Sequence, residues 1–216
     1  MKPSREQLIA ELTASVPPVT WPGKTGHLAA LWLGLLVAGV VGLILIREPL
    51  RPGAFVEQGA APQFLGESLP GLAAIVALGV AAFRSGISTT TPMLHRAALP
   101  LTLLAAWVGC YLYGLADPAL VPSMAGKRAH CWLETLAYSV PGLLFGCWAL
   151  RRLWPLHGVW SGALLGLMSG AVPALVMQFA CMYQLRHILL YHLFPGLALG
   201  ALGALVGAVL LRPREI

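Results

Sequence analysis

Cys131 and Cys181 are the residues of this 216-residue chain whose type most invites chemistry. A thiol can ionise, pair with a second thiol or bind a soft metal ion, and each cysteine has further ligand types near it. His130 and Glu134 flank the first; His187 and His192 follow the second within "CMYQLRHILLYHLFPG", positions 181 to 196. Cys131, Cys181 and His187 are therefore candidate ligands for transient binding of zinc or another thiophilic metal, with no resident cofactor required. His130 and Glu134, one helical turn apart, are further candidates. His192 stands five positions after His187, which on an α-helix turns the two rings about 140° apart, whereas a helical metal pair wants a spacing of four. On that geometry the two histidines are poor partners for one ion. The competing reading places His, Tyr and Arg at the headgroup level of a bilayer. No C-x-x-C occurs, so a disulfide-transferring enzyme lacks its motif, and the chain reads as a non-enzyme.

For two cysteines so far apart in sequence to act together, the elements that carry them must bring them to one depth. Composition says what those elements are. With 58% hydrophobic and 10% charged residues and a mean hydropathy of +0.78, the chain is too apolar for an ordinary soluble domain. Six apolar segments, at about 28–46, 65–83, 98–116, 131–150, 159–182 and 188–211, each approach the roughly 20 residues a helix needs to cross a bilayer. The expected fold is an all-α integral membrane protein, a bundle of six transmembrane helices preceded by a short amphipathic N-terminal helix. It divides into a cytoplasmic tail (1–27), the six-helix domain (28–211) and a short C-terminal tail (212–216). The first segment follows a polar tail and is too long for a signal-peptide core, so it is expected to remain as an anchor.

Alternate connections collect nine Lys and Arg on one side (Lys2, Arg5, Lys24, Arg84, Arg96, Arg151, Arg152, Arg212 and Arg214) and five on the other (Arg47, Arg51, Lys127, Arg128 and Arg186). The side richer in positive charge is cytoplasmic, which puts both termini there. This asymmetry accounts for the net charge of +6, and direct nucleic-acid binding is not expected. Cys131 opens the fourth segment and Cys181 closes the fifth, so both fall at the outer face, accessible from outside and able to link two helices. Cys147 lies about 24 Å from Cys131 at helical rise and cannot join it. Cys110, below the outer end of the third segment, is a weaker third candidate.

Two more patterns bear on assembly. Gly162, Gly166 and Gly170 recur every fourth residue, as do Gly196/Gly200 and Gly203/Gly207, the spacing that lets membrane helices approach at their backbones. Pro141 and Pro173 sit inside apolar segments, where a proline kinks a helix without further meaning. In the tail, Ser4 and Gln7 have the spacing of a capping box; Leu8, Ile9 and Leu12 then form one apolar stripe, and Pro17 and Pro18 stop the helix. Such a stripe suits either a groove on a partner or the membrane surface.

The stripe in "LIAELTASVPPV", the six-span layout, the cysteine opening the fourth span, the run "WPLHGVWSGALLGLMSGAVPALVMQFAC" and the cysteine closing the fifth resemble the NrsF family of bacterial inner-membrane anti-sigma factors. The resemblance covers most of the chain and is strongest from Cys131 to Gly196. It implies that the cytoplasmic N-terminal segment, with Leu8, Ile9 and Leu12, takes part in binding an extracytoplasmic-function sigma factor. It implies too that two periplasmic-side cysteines, here Cys131 and Cys181, respond to heavy-metal or oxidative stress. After the second cysteine the family pattern is Pro- and Glu-rich and ends in tryptophan; here His192 stands near that place. The alternative is a small transporter or redox-active membrane protein, against which stands the scarcity of ionisable residues in mid-helix.

Overall fold

The computed structural model describes residues 4–15, 25–47, 50–86, 92–153 and 155–212. The described residues are all-helical. A short helix α1 (Arg5–Ser15) precedes α2 (Thr25–Arg47), the seven-residue α3 (Ala54–Ala60), α4 (Pro62–Arg84), α5 (Met93–Gly114), α6 (Cys131–Arg151), α7 (Gly158–Ala180) and α8 (Leu185–Leu210). Six of these, α2 and α4 to α8, are long and apolar enough to cross a membrane, with 21 to 26 residues each. Hydrocarbon offers no water to backbone polar groups, so a spanning segment must close its own hydrogen bonds, and helices do so within one segment. Pro70, Pro100, Pro141 and Pro173 lie inside α4, α5, α6 and α7, which continue through them. Pro17, Pro18, Lys2, Lys24 and Arg214 lie outside the described residues.

Helix α7 is the centre of the bundle: 72% of its apolar window is buried by protein, against 28% for α2 at the edge. Its partner in closest approach is α8. A Cβ added at Gly162 would collide with the Gly203 carbonyl, one at Gly166 with that of Leu199, one at Gly170 with that of Gly196 and one at Gly207 with that of Gly158. Two backbones this close gain dispersion along their whole length, the association that works where lipid removes the hydrophobic driving force. Elsewhere glycines receive large side chains. Trp107 of α5 fills the space over Gly71 of α4, and Leu36 and Trp32 of α2 rest on Gly142 and Gly146 of α6.

In α1 the Gln7 amide N–H donates to Ser4 Oγ at 3.2 Å while the Ser4 N–H donates to Gln7 Oε1 at 2.9 Å, a reciprocal cap that starts the helix. The stripe is narrow, and Leu8, Ile9 and Leu12 are 47%, 51% and 57% exposed.

Candidate functional site

Antiparallel α6 and α7 bring the first residue of one beside the residue that follows the other. The Cys131 and Cys181 sulfurs lie 3.2 Å apart, closer than van der Waals contact of unlinked sulfurs and well beyond the ~2.05 Å of a disulfide. His187 Nε2 stands 3.4 Å from each sulfur. His192 completes the group: Cys131, Cys181, His187 and His192 each offer one ligand atom, and those atoms all lie within 4.8 Å of one another. Cys131 and Cys181 are buried, as is His192, and only His187 is half-buried.

The presence of His192 contradicts the α-helical reading of the 187/192 spacing. Residues 188–193 form a π turn (Ile188–Leu193) inside α8. Pro195 has no N–H for the Tyr191 carbonyl, and in an α turn its ring would press on that oxygen. The wider π turn, closing i→i+5, relieves the clash and carries residues five apart to nearly one face. The two imidazoles meet edge to face with ring centroids 5.0 Å apart, and Tyr191 stacks on His187 at 4.8 Å.

Two further expectations are corrected. The thiols are not open to the surface: Cys131 is 2% exposed and Cys181 is fully buried. His130 is exposed and Glu134 turns to Arg128, whose Nη1 is 3.3 Å from the Glu134 carboxylate, so neither joins the cluster. Arg186 is exposed as well; the groups set against Cys181 are Cys131, His187 and His192. Cys181 lies in the link between α7 and α8, where the hydrogen bond from the Cys131 thiol, and then the contact with His187 and the nearby His192 imidazole, hold its thiol well below the usual thiol range against the opposing effect of burial. Cys110 and Cys147 are not part of the group.

The cysteine end of the bundle is covered by the connections on that side. The link residue Tyr183 accepts an N–H from Ala119 at its hydroxyl and one from Ser123 at its carbonyl. The same hydroxyl is 3.0 and 3.1 Å from the two carboxylate oxygens of Glu67. Burial, and then the neighbouring Glu67 charge, push the Tyr183 phenol above its usual range. Beside it Tyr111 donates to Gln178 at 2.6 Å and Gln178 to Ser68 at 3.3 Å, which ties α4, α5 and α7 together. Arg128 Nε reaches the Ala180 carbonyl at 3.3 Å, and buried Arg51 pairs with Glu57 at 2.7 Å. Gly126, at φ 76°, adopts a left-handed turn with Arg51 beneath it, where a Cβ would stand 3.1 Å from that side chain. Sequence reading missed the Glu67–Tyr183 and Ser68–Gln178 pairs. Their only signal was polarity next to apolar runs, and the partners are over a hundred residues apart.

This arrangement of a buried thiol pair at one end of a six-helix membrane bundle coincides with the result of comparison. A family model described as NrsF, negative regulator of sigma F, matches residues 12–212, nearly the whole chain. The chain belongs to the NrsF family. No curated protein and no solved structure matches it. The NrsF description names a regulatory role, negative regulation of a sigma factor. The NrsF match takes in both cysteines, both histidines and Leu12, and begins just after Leu8 and Ile9.

Proposed function

We propose that this chain is a membrane-bound anti-sigma factor. It sequesters an extracytoplasmic-function sigma factor on the cytoplasmic face of the bacterial inner membrane and releases it when Cys131 and Cys181 sense heavy metal or oxidative stress. The observation that carries the sensing part is the 3.2 Å contact of two buried sulfurs held by two different elements. Oxidation by a peroxide takes two electrons and two protons from the thiols and releases two waters, and the sulfurs close by about 1.2 Å to reach disulfide length. A metal ion instead enters between them. Either event replaces a loose contact by a fixed link between α6 and the α7–α8 connection, and it acts as a signal because it favours one bundle arrangement over the other.

Sidedness supports the placement of the partner. Six crossings would return the chain to its starting side, and the nine-to-five division of Lys and Arg favours that side as the cytoplasmic one. There α1 presents Leu8, Ile9 and Leu12, the i, i+1, i+4 stripe that an apolar groove on a sigma factor accepts. The protein thus acts on transcription through that partner and the bilayer, without touching nucleic acid.

Co-purification of the sigma factor with membranes of the native host tests both parts. Cys131→Ser and Cys181→Ser should each insert and retain the partner, yet fail to release it on cadmium or peroxide challenge, with the double variant no worse than either single one. Leu8→Asp with Leu12→Asp should lose the partner while insertion is unchanged, because a carboxylate in an apolar groove costs several kcal/mol. Cysteine variants that release like the wild type overturn the thiol sensor.

A further inference from the structure

We infer that Cys131, Cys181, His187 and His192 form a single four-ligand site for a divalent thiophilic cation of the zinc type, in which both histidines are ligands. The inference deepens the sensor reading of the same cysteines and rests on it for its role, though not for its geometry.

Three observations carry it. The four ligand atoms lie within 4.8 Å of one another although they come from the start of α6, the α7–α8 link and two positions of α8. A π turn at Ile188–Leu193 runs between the two histidines, and their rings meet edge to face with centroids 5.0 Å apart, both beside the thiols. Lastly, His192 is fully buried, and neither its Nδ1 nor its Nε2 has a hydrogen-bond partner. A buried imidazole left so is costly, and a metal bond to one nitrogen removes the cost.

Two sulfurs and two imidazole nitrogens are the donor set of a tetrahedral zinc site. Two thiolates cancel the divalent charge, so the filled site is neutral, as a position buried at the edge of the apolar bundle requires. At metal–sulfur distances of about 2.3 Å and metal–nitrogen distances of about 2.0 Å, tetrahedral ligand atoms sit roughly 3.3 to 3.8 Å apart. The sulfurs, at 3.2 Å, therefore part by roughly half an ångström, while the more distant ligand atoms draw in. Any proton still on a thiol leaves to water as the ion binds. Half-buried His187 is the member of the group that reaches the surface, which makes it the side from which the ion arrives.

The test uses the full-length protein, reduced and in detergent micelles, with Co²⁺ as the spectroscopic probe and Zn²⁺ as competitor. The wild type should take up one Co²⁺ with thiolate charge-transfer absorption in the near ultraviolet and intense tetrahedral bands in the visible, all erased by Zn²⁺. His187→Ala and His192→Ala should each keep the thiolate absorption, lose visible intensity and bind zinc about tenfold or more weakly. His187 is half-buried, so its variant reads the ligand role without opening a core cavity; protection of the thiols from alkylation by zinc in native membranes is the second measurement. Histidine variants with wild-type spectra and affinity, or a wild type that binds no Co²⁺, overturn the four-ligand site. A wild-type four-ligand spectrum with no effect of zinc on sigma-factor capture leaves the site standing and removes its sensing role. Metal-driven release with unaltered histidine variants does the reverse.

Discussion

Helices α7 and α8 meet in two very different ways along their length. From Gly158 to Gly170 they touch backbone to backbone, with carbonyls of Leu199 and Gly203 lying where a Cβ would be. Beyond Gly196 the contact changes: α8 widens into a π turn, and the space between the helices is taken by Cys181, His192 and the Tyr183 link. The glycine seam leaves no slack, since any relative shift separates many atom pairs at once. The cysteine end is held mostly by side-chain contacts, among them the thiol and imidazole contacts of 3.2 to 3.4 Å, several of them between polar groups that can exchange partners. One pair of helices thus combines a fixed hinge at one end with an adjustable end where a small chemical change can tell.

Breaking the seam should have the largest effect. Gly166→Leu drives a side chain into the Leu199 carbonyl, and the loss should be about 3 kcal/mol or more, seen as collapse of monodisperse protein on size exclusion and a lower unfolding temperature in detergent. If Gly166→Leu assembled normally, the seam would not be the rigid half. Loosening only the cysteine end should cost less. Tyr183→Phe removes the hydroxyl shared by Glu67 and the Ala119 N–H, and about 1 to 3 kcal/mol should disappear. Amide exchange should accelerate across 181–193 while the glycine-contact stretch of α7 keeps its protection; uniform acceleration would erase the distinction between the two ends. The smallest effect on stability, within about 1 kcal/mol, is expected for Pro195→Ala. Without the proline, the π turn can tighten to an α turn, in which residues five apart diverge by about 140°. Zinc affinity should then fall by about tenfold at nearly unchanged stability. Unchanged affinity would mean that the histidines are positioned by packing and not by the turn.

Much of the architecture was legible in the residues themselves. Hydropathy marks the six spans, because a chain crossing hydrocarbon has no other way to satisfy its backbone, and the every-fourth glycines of α7 and α8 announce a close seam. The Ser4/Gln7 spacing announces the cap of α1, since a capping box is made of groups three residues apart. The common depth of Cys131 and Cys181 follows from their places at the ends of consecutive antiparallel helices. These features depend on short-range order, where period and spacing translate directly into geometry.

The tertiary structure decided what spacing alone could not. Reading His187 and His192 at 3.6 residues per turn sends them to different sides; the π turn at Ile188–Leu193 makes them neighbours. The burial of both thiols comes from the covering connections around Arg51, Arg128 and Tyr183. Glu67 finds Tyr183, and Tyr111 finds Gln178, across long stretches of chain. A polar group's partner in a bundle is chosen by which helices pack together and at what depth, and that choice is made only when all six helices have assembled.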